Sequence, residues 1–337
     1  MKIKLLEAKN TQSLCIEPSS IADKNFEALL AWNQENKDFI EGKLLKHGAV
    51  LFRGFAINAS KRIKDYVQLI FGNSSGYIDG NSPRSIVDEG VYTSTEYPAA
   101  QTITLHNELS YSHMWPKKLL FCCCTAPQKG GETPILDGRQ LLKQLDENIL
   151  STLVDQKIMY IRNLHGGKGF GPSWQNTFES HDKAWVESYL QQDPECEFRW
   201  KNDSSLYVKQ IRPAIVQHPI SGAWVWFNQV DQFHLSSLGD IYYQEFKKVY
   251  AGKEDALPIH ACFGDGTPIK EEWIEKIRQT CLQESFRFPW QKGDLLIIDN
   301  MLTMHGRMPF EGDRKILVSI VGTHHSSQVN PVNGFVV

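Results

Sequence analysis

Two short segments of the chain carry the same kind of side chain but lie far apart in the sequence. The first contains His106 and Glu108, and the second contains His305. In an extended segment, residues i and i+2 point to the same face, so His106 and Glu108 can reach one ion. A third ligand from His305 requires a fold that brings distant strands face to face, as a β-sandwich does. The pattern therefore predicts two facing strands that share one site.

Two histidines and one carboxylate are the smallest protein ligand set for a mononuclear iron(II) centre that keeps open coordination positions. Three ligands on one face of an octahedron leave three positions for a bidentate oxo acid and dioxygen. A histidine with a nearby glutamate is weak support when taken alone, because such a pair is more often solvated or hydrogen bonded. A zinc hydrolase with His/His/Glu ligands is an open alternative at this point.

Hydrophobic spacing predicts the regular elements around these segments. Helices are expected for residues 23–46, 60–71, 138–150, 182–191, 239–250 and 270–284. Ser60 is the predicted N-cap of the second of these ranges. Strands are expected for residues 49–53, 118–125, 132–136, 157–164, 206–218, 223–227, 286–289, 295–298 and 315–321.

Two segments rich in small residues predict loops. Residues 73–94 are rich in Gly, Ser, Pro and Asp, which is typical of an irregular segment. Residues 165–172 are rich in glycine but lack a Gly-Lys-Ser/Thr ending, so a loop or lid near the site is favoured over a phosphate loop. No repeat, linker or low-complexity segment divides the chain, and we expect one domain over residues 1–337.

The composition argues against several classes of protein. With 36 Lys and Arg against 39 Asp and Glu, the net charge is −3, and no basic stretch indicates a nucleic-acid surface. No stretch approaches the roughly 20 apolar residues of a membrane span, and the N-terminal residues do not resemble a signal peptide. We therefore expect a cytoplasmic protein with no nucleic-acid or membrane partner. The seven cysteines contain no CxxC pair, so buried free thiols are expected.

Four motifs follow one another along the chain. They are His106-Asn107-Glu108, Gly130-Gly131-Glu132-Thr133-Pro134, Asp299-Asn300 with His305-Gly306-Arg307, and Asp313-Arg314-Lys315. Together they resemble the TauD/TfdA superfamily of iron(II)- and 2-oxoglutarate-dependent oxygenases, and within it the clavaminate-synthase-like and SyrP-like members. The resemblance covers about residues 48–322. It implies a mainly β fold with flanking helices, a distorted double-stranded β-helix or jelly roll.

The resemblance also implies ligands for the cofactors. It assigns iron(II) to His106, Glu108 and His305. It assigns 2-oxoglutarate to Thr133 and Arg314. These roles make physical sense, because an arginine can hold the distal carboxylate of 2-oxoglutarate in a bidentate, charge-assisted contact, and a threonine hydroxyl supplies a second donor.

Two further assignments carry alternatives. Only eight residues separate His305 from Arg314, fewer than in the taurine-type members, so Arg307 is an alternative anchor for 2-oxoglutarate. Asn228 is a candidate substrate-binding residue by resemblance, and a structural turn asparagine is the other interpretation.

The implied reaction couples oxidative decarboxylation of 2-oxoglutarate, with dioxygen, to hydroxylation of an unactivated C–H bond. Glutamate as the carboxylate ligand, where most of the superfamily has aspartate, is similar to the amino-acid oxygenases of the clavaminate-synthase type. We therefore expect the substrate to be an amino acid, or an aminoacyl group on a peptide-synthetase carrier domain, in antibiotic or other natural-product biosynthesis.

Several alternatives remain. Desaturation, cyclisation, or oxidation of another small carboxylate or sulfonate would use the same iron site and the same 2-oxoglutarate. Glu108 fills the position that related halogenases vacate for a halide, which disfavours halogenation. A metal-free jelly-roll binding protein is the alternative outside the enzymes.

Overall fold

The computed structural model describes residues 1–8, 11–57, 59–82, 84–253 and 256–331. The strands of these residues are β1 (Lys2–Ala8), β2 (Thr11–Glu17), β3 (Ala49–Phe52), β4 (Ile86–Asp88), β5 (Val91–Thr93), β6 (Ile103–His106), β7 (Met114–Thr125), β8 (Lys129–Gly130), β9 (Ile135–Asp137), β10 (Ile158–Leu164), β11 (Cys196–Trp200), β12 (Leu206–Arg212), β13 (Ile215–Gln217), β14 (Trp224–Trp226), β15 (Ile259–Phe263), β16 (Leu295–Asp299), β17 (Thr303–Arg307), β18 (Phe310–Glu311) and β19 (Lys315–His325).

Helices flank the sheets, as the hydrophobic spacing predicts. Within the described residues they are α1 (Phe26–Glu35), α2 (Lys37–His47), α3 (Ser60–Phe71), α4 (Gly138–Leu142), α5 (Glu147–Gln156), α6 (Trp174–Thr177), α7 (Lys183–Leu190), α8 (Val230–Phe233), α9 (Asp240–Val249) and α10 (Glu271–Glu284). None of these helices is long and apolar enough to cross a membrane.

Two of the sheets form the framework of the site. The larger has the strand order β1-β2-β3-β16-β7-β19-β5-β4, and the smaller has the order β6-β17-β9. In the larger sheet, neighbouring strands are antiparallel except for the parallel pair β2 and β3. The chain passes from the larger to the smaller sheet in the short turn between β16 and β17. The predicted jelly roll with flanking helices is confirmed.

Strand β7 shows why the larger sheet is covered on both faces. Alternate side chains of a strand point to opposite faces. Leu119, Phe121 and Cys123 belong to a core that also contains side chains of the smaller sheet. Leu120 and Cys122 point the other way and pack in a second core with residues of α1, α2 and α3. The smaller sheet therefore covers one face and the helices cover the other, which holds the candidate ligands inside the protein.

Several sequence predictions need correction in detail. Ser60 is the first residue of α3 and not its N-cap; Ala59 occupies that position, and no side chain caps the helix there. Residues 138–150 form the two helices α4 and α5, because Asp146 caps a new helix. Residues 206–218 form two strands, β12 and β13. The seven cysteines are free thiols, and all except Cys196 are buried, as predicted.

Residues 73–94 differ most from the prediction of a loop. They contain β4 and β5, which pair with each other and extend the larger sheet from β19. Two side chains of this segment, Tyr77 and Arg84, are buried against Glu108. Its composition of turn residues indicated irregular structure but could not indicate these distant contacts.

Candidate metal centre and its surroundings

The side chains of His106, Glu108 and His305 meet at one point. His106 ends β6, and His305 lies directly opposite it in the antiparallel partner β17. One ligand atom from each of the three residues lies within 4.8 Å of the others, and all three side chains are buried. Nε2 of His106 is 3.9 Å and Nε2 of His305 is 3.7 Å from Oε2 of Glu108. These distances leave room for one ion among the three atoms.

The backbone that brings Glu108 to this point is a turn and not the predicted extended strand. Strand β6 ends at His106, and Glu108 lies in the turn that follows. The next residue, Leu109, has a φ of 57°, in the left-handed region that non-glycine residues rarely adopt. The expectation that His106 and Glu108 face one site is met, but the alternation of a strand is not the reason.

The protonation states suit a divalent cation. Nδ1 of His106 is 2.9 Å from the carbonyl of Thr104. A proton on Nδ1 that donates to this carbonyl leaves the Nε2 lone pair, 3.9 Å from Glu108, for a metal. Burial lowers the pKa of His106, and burial together with the neighbouring His106 lowers the pKa of His305 well below its usual value. Both rings are therefore neutral near pH 7 and can act as ligands.

Glu108 is held as a carboxylate. Burial alone would raise the pKa of its carboxyl group, but Arg84, His106 and Tyr77 hold that pKa below its usual value. Tyr77 donates a hydrogen bond to Oε1 at 2.7 Å, and Nη2 of Arg84 donates to Oε2 at 2.6 Å. The donor set is two neutral imidazoles and one carboxylate, which fits iron(II) with positions left open for other ligands.

The 2-oxoglutarate candidates lie on neighbouring parts of the fold. Nε of Arg314 donates to the carbonyl of Gly131 at 3.0 Å, two residues from Thr133, and its Nη1 donates to Oγ of Ser94 at 3.2 Å. No carboxylate of the described residues lies within an ion-pair distance of 4.0 Å from Arg314. Burial, with the nearby Arg307, lowers the pKa of Arg314 to about 10. A buried arginine without an acidic partner is suited to bind an anion. Thr133 is buried and accepts a hydrogen bond from the indole N–H of Trp290 at 3.2 Å.

Arg307, the alternative anchor, is occupied by the backbone. Its Nη1 donates to the carbonyls of Thr95 and Tyr97, at 3.5 and 3.0 Å. Its Nη2 donates to the carbonyls of Pro98 and Gln101, at 2.7 and 2.9 Å. Arg307 thus holds the segment before β6 in place, and this geometry favours Arg314 over Arg307 for a bound anion.

Asn228 uses both of its polar groups within the protein. Its Nδ2 donates to the carbonyl of Ala214 at 2.9 Å, and its Oδ1 accepts from the N–H of Val230 at 3.1 Å. These bonds support the structural interpretation, and a role in substrate binding stays a prediction. Nε2 of Gln232, on the same stretch of chain, lies 2.9 Å from Nδ1 of His106. Sequence reasoning missed Gln232, because no local pattern marks it.

The glycine-rich loop at residues 165–172 lies against other parts of the chain. The ring of Phe170 packs on Phe246, with 5.3 Å between the ring centroids. The loop is also held by a hydrogen bond from the N–H of Trp174 to the carbonyl of His165. Its role as a lid stays a prediction.

Similarity to known proteins extends over most of the chain. The family model described as "Taurine catabolism dioxygenase TauD, TfdA family" matches residues 9–320. The dapdiamide synthesis protein DdaC of Enterobacter agglomerans is 39% identical over 294 residues, which cover 87% of this chain and 88% of DdaC. A clavaminate synthase-like protein of Arabidopsis thaliana is 30% identical over 295 residues, 84% of each chain.

Solved structures show the same fold. The structure of PvcB from Pseudomonas aeruginosa matches with a TM-score of 0.54 at 15% identity, and the match covers 96% of this chain and 94% of PvcB. PvcB is an Fe, alpha-ketoglutarate dependent oxygenase from an isonitrile synthetic pathway. At this identity the likeness concerns the fold alone.

Proposed function

The chain belongs to the TauD/TfdA family of iron(II)- and 2-oxoglutarate-dependent oxygenases, and on that premise we propose that it hydroxylates an unactivated C–H bond of an amino acid or of a carrier-tethered aminoacyl group. The observation that carries the proposal is the convergence of His106, Glu108 and His305 within 4.8 Å in a buried site. The name of DdaC, a dapdiamide synthesis protein, supports a place in natural-product biosynthesis.

In this proposal each residue of the site has a separate task. Nε2 of His106, Nε2 of His305 and Oε2 of Glu108 hold iron(II), and Arg314 with Thr133 holds the distal carboxylate of 2-oxoglutarate. When bound, iron with 2-oxoglutarate and dioxygen supplies the oxidising power, releases succinate and carbon dioxide, and delivers one oxygen atom to the substrate.

The protein's own contribution is orientation and exclusion of water. All three ligand residues are almost fully buried, between 2% and 5% exposed. Tyr77 and Arg84 fix the carboxylate of Glu108 from one side, and the carbonyl of Thr104 fixes the ring of His106. A ligand set held this way does not have to reorganise when the metal binds, and burial limits the access of water to a reactive site.

A first experiment tests the cofactors without knowledge of the substrate. Anaerobic addition of iron(II) and 2-oxoglutarate to the full chain should give a weak visible charge-transfer band. A zinc hydrolase or a metal-free binding protein would give none. Absence of the band, with the protein folded, would contradict the proposed cofactor binding.

A second experiment tests the substrate class. Amino acids, free and loaded on a peptide-synthetase carrier domain, are screened for succinate release, and the products are examined by mass spectrometry. A gain of one oxygen on the free amino acid supports the small-molecule form, and a gain on the loaded carrier alone supports the tethered form. Oxidation of a sulfonate or an aryloxy acid, with no oxidation of either amino-acid form, would contradict the substrate class.

A further inference from the structure

Arg84 is the buried cation next to the candidate metal centre. Its side chain is 4% exposed, and its guanidinium lies over the ring of Tyr77 at 4.3 Å. Nη2 donates to Oε2 of Glu108 at 2.6 Å. Nε and Nη1 are also buried, and the described residues offer neither of them a hydrogen-bond acceptor. Arg84 therefore holds several donors that the protein itself does not use.

Arg212 is a buried arginine with a purely structural role. It is buried to a similar degree. Its Nε donates to the carbonyls of Tyr111 and Ser112, its Nη1 donates to the carbonyl of Ile211, and its Nη2 pairs with Asp193. Every nitrogen of that guanidinium has a partner. A buried donor without a partner is unfavourable. Nε of Arg162 and Nε of Arg307 also lack a partner, but among the described arginines Arg84 alone has two such nitrogens, and this indicates a ligand.

The charges of the filled site indicate the kind of ligand. This step rests on the proposed function. Iron(II) brings two positive charges, which Glu108 and the metal-binding carboxylate of 2-oxoglutarate balance, and the other carboxylate of 2-oxoglutarate balances Arg314. Glu108 is then engaged with the metal, and Arg84 is left as one buried positive charge without compensation. Buried charges in proteins are paired, so one more anionic group completes the site.

We propose that Arg84 binds a carboxylate of the substrate, with the donors that Glu108 does not use. A carboxylate anchored there is held beside the metal ligands, which limits the C–H bonds that can face the metal. Two sources share this chemistry. A free amino acid supplies its α-carboxylate, whereas an aminoacyl group tethered as a thioester retains only a side-chain carboxylate.

The test compares acids with matched amides. The full chain is loaded with Mn(II) and 2-oxoglutarate, and thermal unfolding is followed with each proteinogenic L-amino acid and with its α-carboxamide. Hits are then measured by calorimetry. We expect at least one acid to stabilise the protein and its amide to bind roughly 10- to 100-fold more weakly, because the amide lacks the charge-assisted contact. The α-amides of aspartate and glutamate keep a side-chain carboxylate, so a response to them in place of the free α-acids identifies that source.

Two variants assign the effect to Arg84. Arg84→Gln should lose the preference for the acid. Because Arg84 also orients Glu108, we expect weaker Mn(II) binding in this variant, so acid and amide are compared at Mn(II) and 2-oxoglutarate concentrations that saturate it. Arg84 lies before β4, at the edge of the larger sheet, so its replacement leaves the central strands intact. Arg139→Gln is the matched control, because Arg139 pairs with Asp137 and contacts none of the three candidate ligands. It should keep the preference.

Three outcomes would overturn the inference: no amino acid of the panel stabilises the wild-type protein, amides that retain no carboxylate bind as well as their acids, or Arg84→Gln keeps the preference for the acid. If one of these outcomes occurs while Mn(II) and 2-oxoglutarate stabilise the wild-type protein, only the role of Arg84 is contradicted and the proposed function is not. If Mn(II) and 2-oxoglutarate do not stabilise the wild-type protein, both the proposed function and the role of Arg84 are contradicted.

Discussion

The side-chain amide of Asn300 is hydrogen bonded to both backbone groups of Glu108. Its Oδ1 accepts from the N–H of Glu108 at 2.8 Å, and its Nδ2 donates to the carbonyl of Glu108 at 2.9 Å. The same Nδ2 also donates to the carbonyl of Pro116 at 3.1 Å, and Asn107 donates to the carbonyl of Asn300 at 2.7 Å. These buried bonds tie the turn that carries Glu108 to the turn that precedes His305.

Asn300→Ala should therefore destabilise the protein and loosen the metal centre together. The change removes the side-chain hydrogen bonds to three backbone groups, the N–H and carbonyl of Glu108 and the carbonyl of Pro116, and we expect a loss of about 3 kcal/mol in the free energy of unfolding. Urea unfolding measures this loss, and electron paramagnetic resonance measures Mn(II) affinity. The exposed Asn148 in α5 gives a control, and Asn148→Ala should change stability by less than about 0.5 kcal/mol. An unaltered Mn(II) affinity in Asn300→Ala would contradict the link between the two turns.

Removal of a metal ligand should abolish turnover without unfolding the chain. His106→Ala and His305→Ala each take away one of the atoms that converge within 4.8 Å. We expect substrate-dependent succinate release to fall by more than about 100-fold. Circular dichroism should remain that of the wild type. His181→Ala, at an exposed position, is the control and should retain activity. Wild-type turnover in either ligand variant would remove the assignment.

The two arginines near the end of the chain should behave differently. Arg314→Ala removes a cation without an acidic partner, and the KM for 2-oxoglutarate should rise roughly 10- to 150-fold, as the loss of a charge-assisted contact predicts. Arg307→Ala breaks bonds to backbone carbonyls of residues 95–101 and should lower the thermal midpoint instead. Steady-state kinetics and thermal unfolding of both variants separate these effects. If Arg307→Ala raises the KM and Arg314→Ala does not, the two roles are exchanged.

Tyr77→Phe should weaken metal binding while preserving the fold. The change removes the hydrogen bond that fixes Oε1 of Glu108, and the loss of a bond that orients a ligand typically lowers metal affinity about 10-fold or more. Tyr66→Phe is a matched control, because the Tyr66 hydroxyl donates to Oδ1 of Asn33 at 2.8 Å in the core between α1 and α3. Mn(II) titrations of both proteins make the comparison. Equal affinities in the two variants would show that Tyr77 does not act on the metal.

Acid should destabilise the protein in part through His234. Burial, together with nearby His260 and Arg278, lowers the pKa of His234 from 6.5 to about 4. Between these values the unfolded chain binds more protons than the folded one, so the contribution of this group is lost as the pH falls through that window. The effect is at most about 3 kcal/mol. His234→Gln should flatten the dependence of the unfolding free energy on pH, measured by urea unfolding. Parallel curves for variant and wild type would contradict this assignment.

The candidate ligands could be predicted from the sequence because each belongs to a compact motif. His106 and Glu108 are two residues apart, and His305 lies in a third motif in the expected order. Tyr77 and Arg84 could not be predicted, because their segment is rich in turn-forming residues and their contact with Glu108 depends on the pairing of β5 with β19. The composition of a local segment does not predict which distant strand that segment pairs with.

The choice between Arg307 and Arg314 shows a related limit. Both arginines follow His305 closely, and their spacing suits either role. What distinguishes them is the set of carbonyls at residues 95–101 that surrounds Arg307. The position of that segment is a property of the folded protein, so the sequence alone left both residues as candidates.

The position of β16 and β19 on either side of β7 has a consequence for the order of events on the ribosome. A growing chain that has not yet reached residue 295 lacks both neighbours of β7, so the backbone groups of β7 cannot yet form their sheet hydrogen bonds. Such a chain also lacks His305, and it has two thirds of the candidate metal ligands at most. Pairings between residues so far apart in sequence form slowly. Completion of the metal centre therefore follows the synthesis of β19, and termination before residue 305 yields a chain that lacks one of the three candidate ligands.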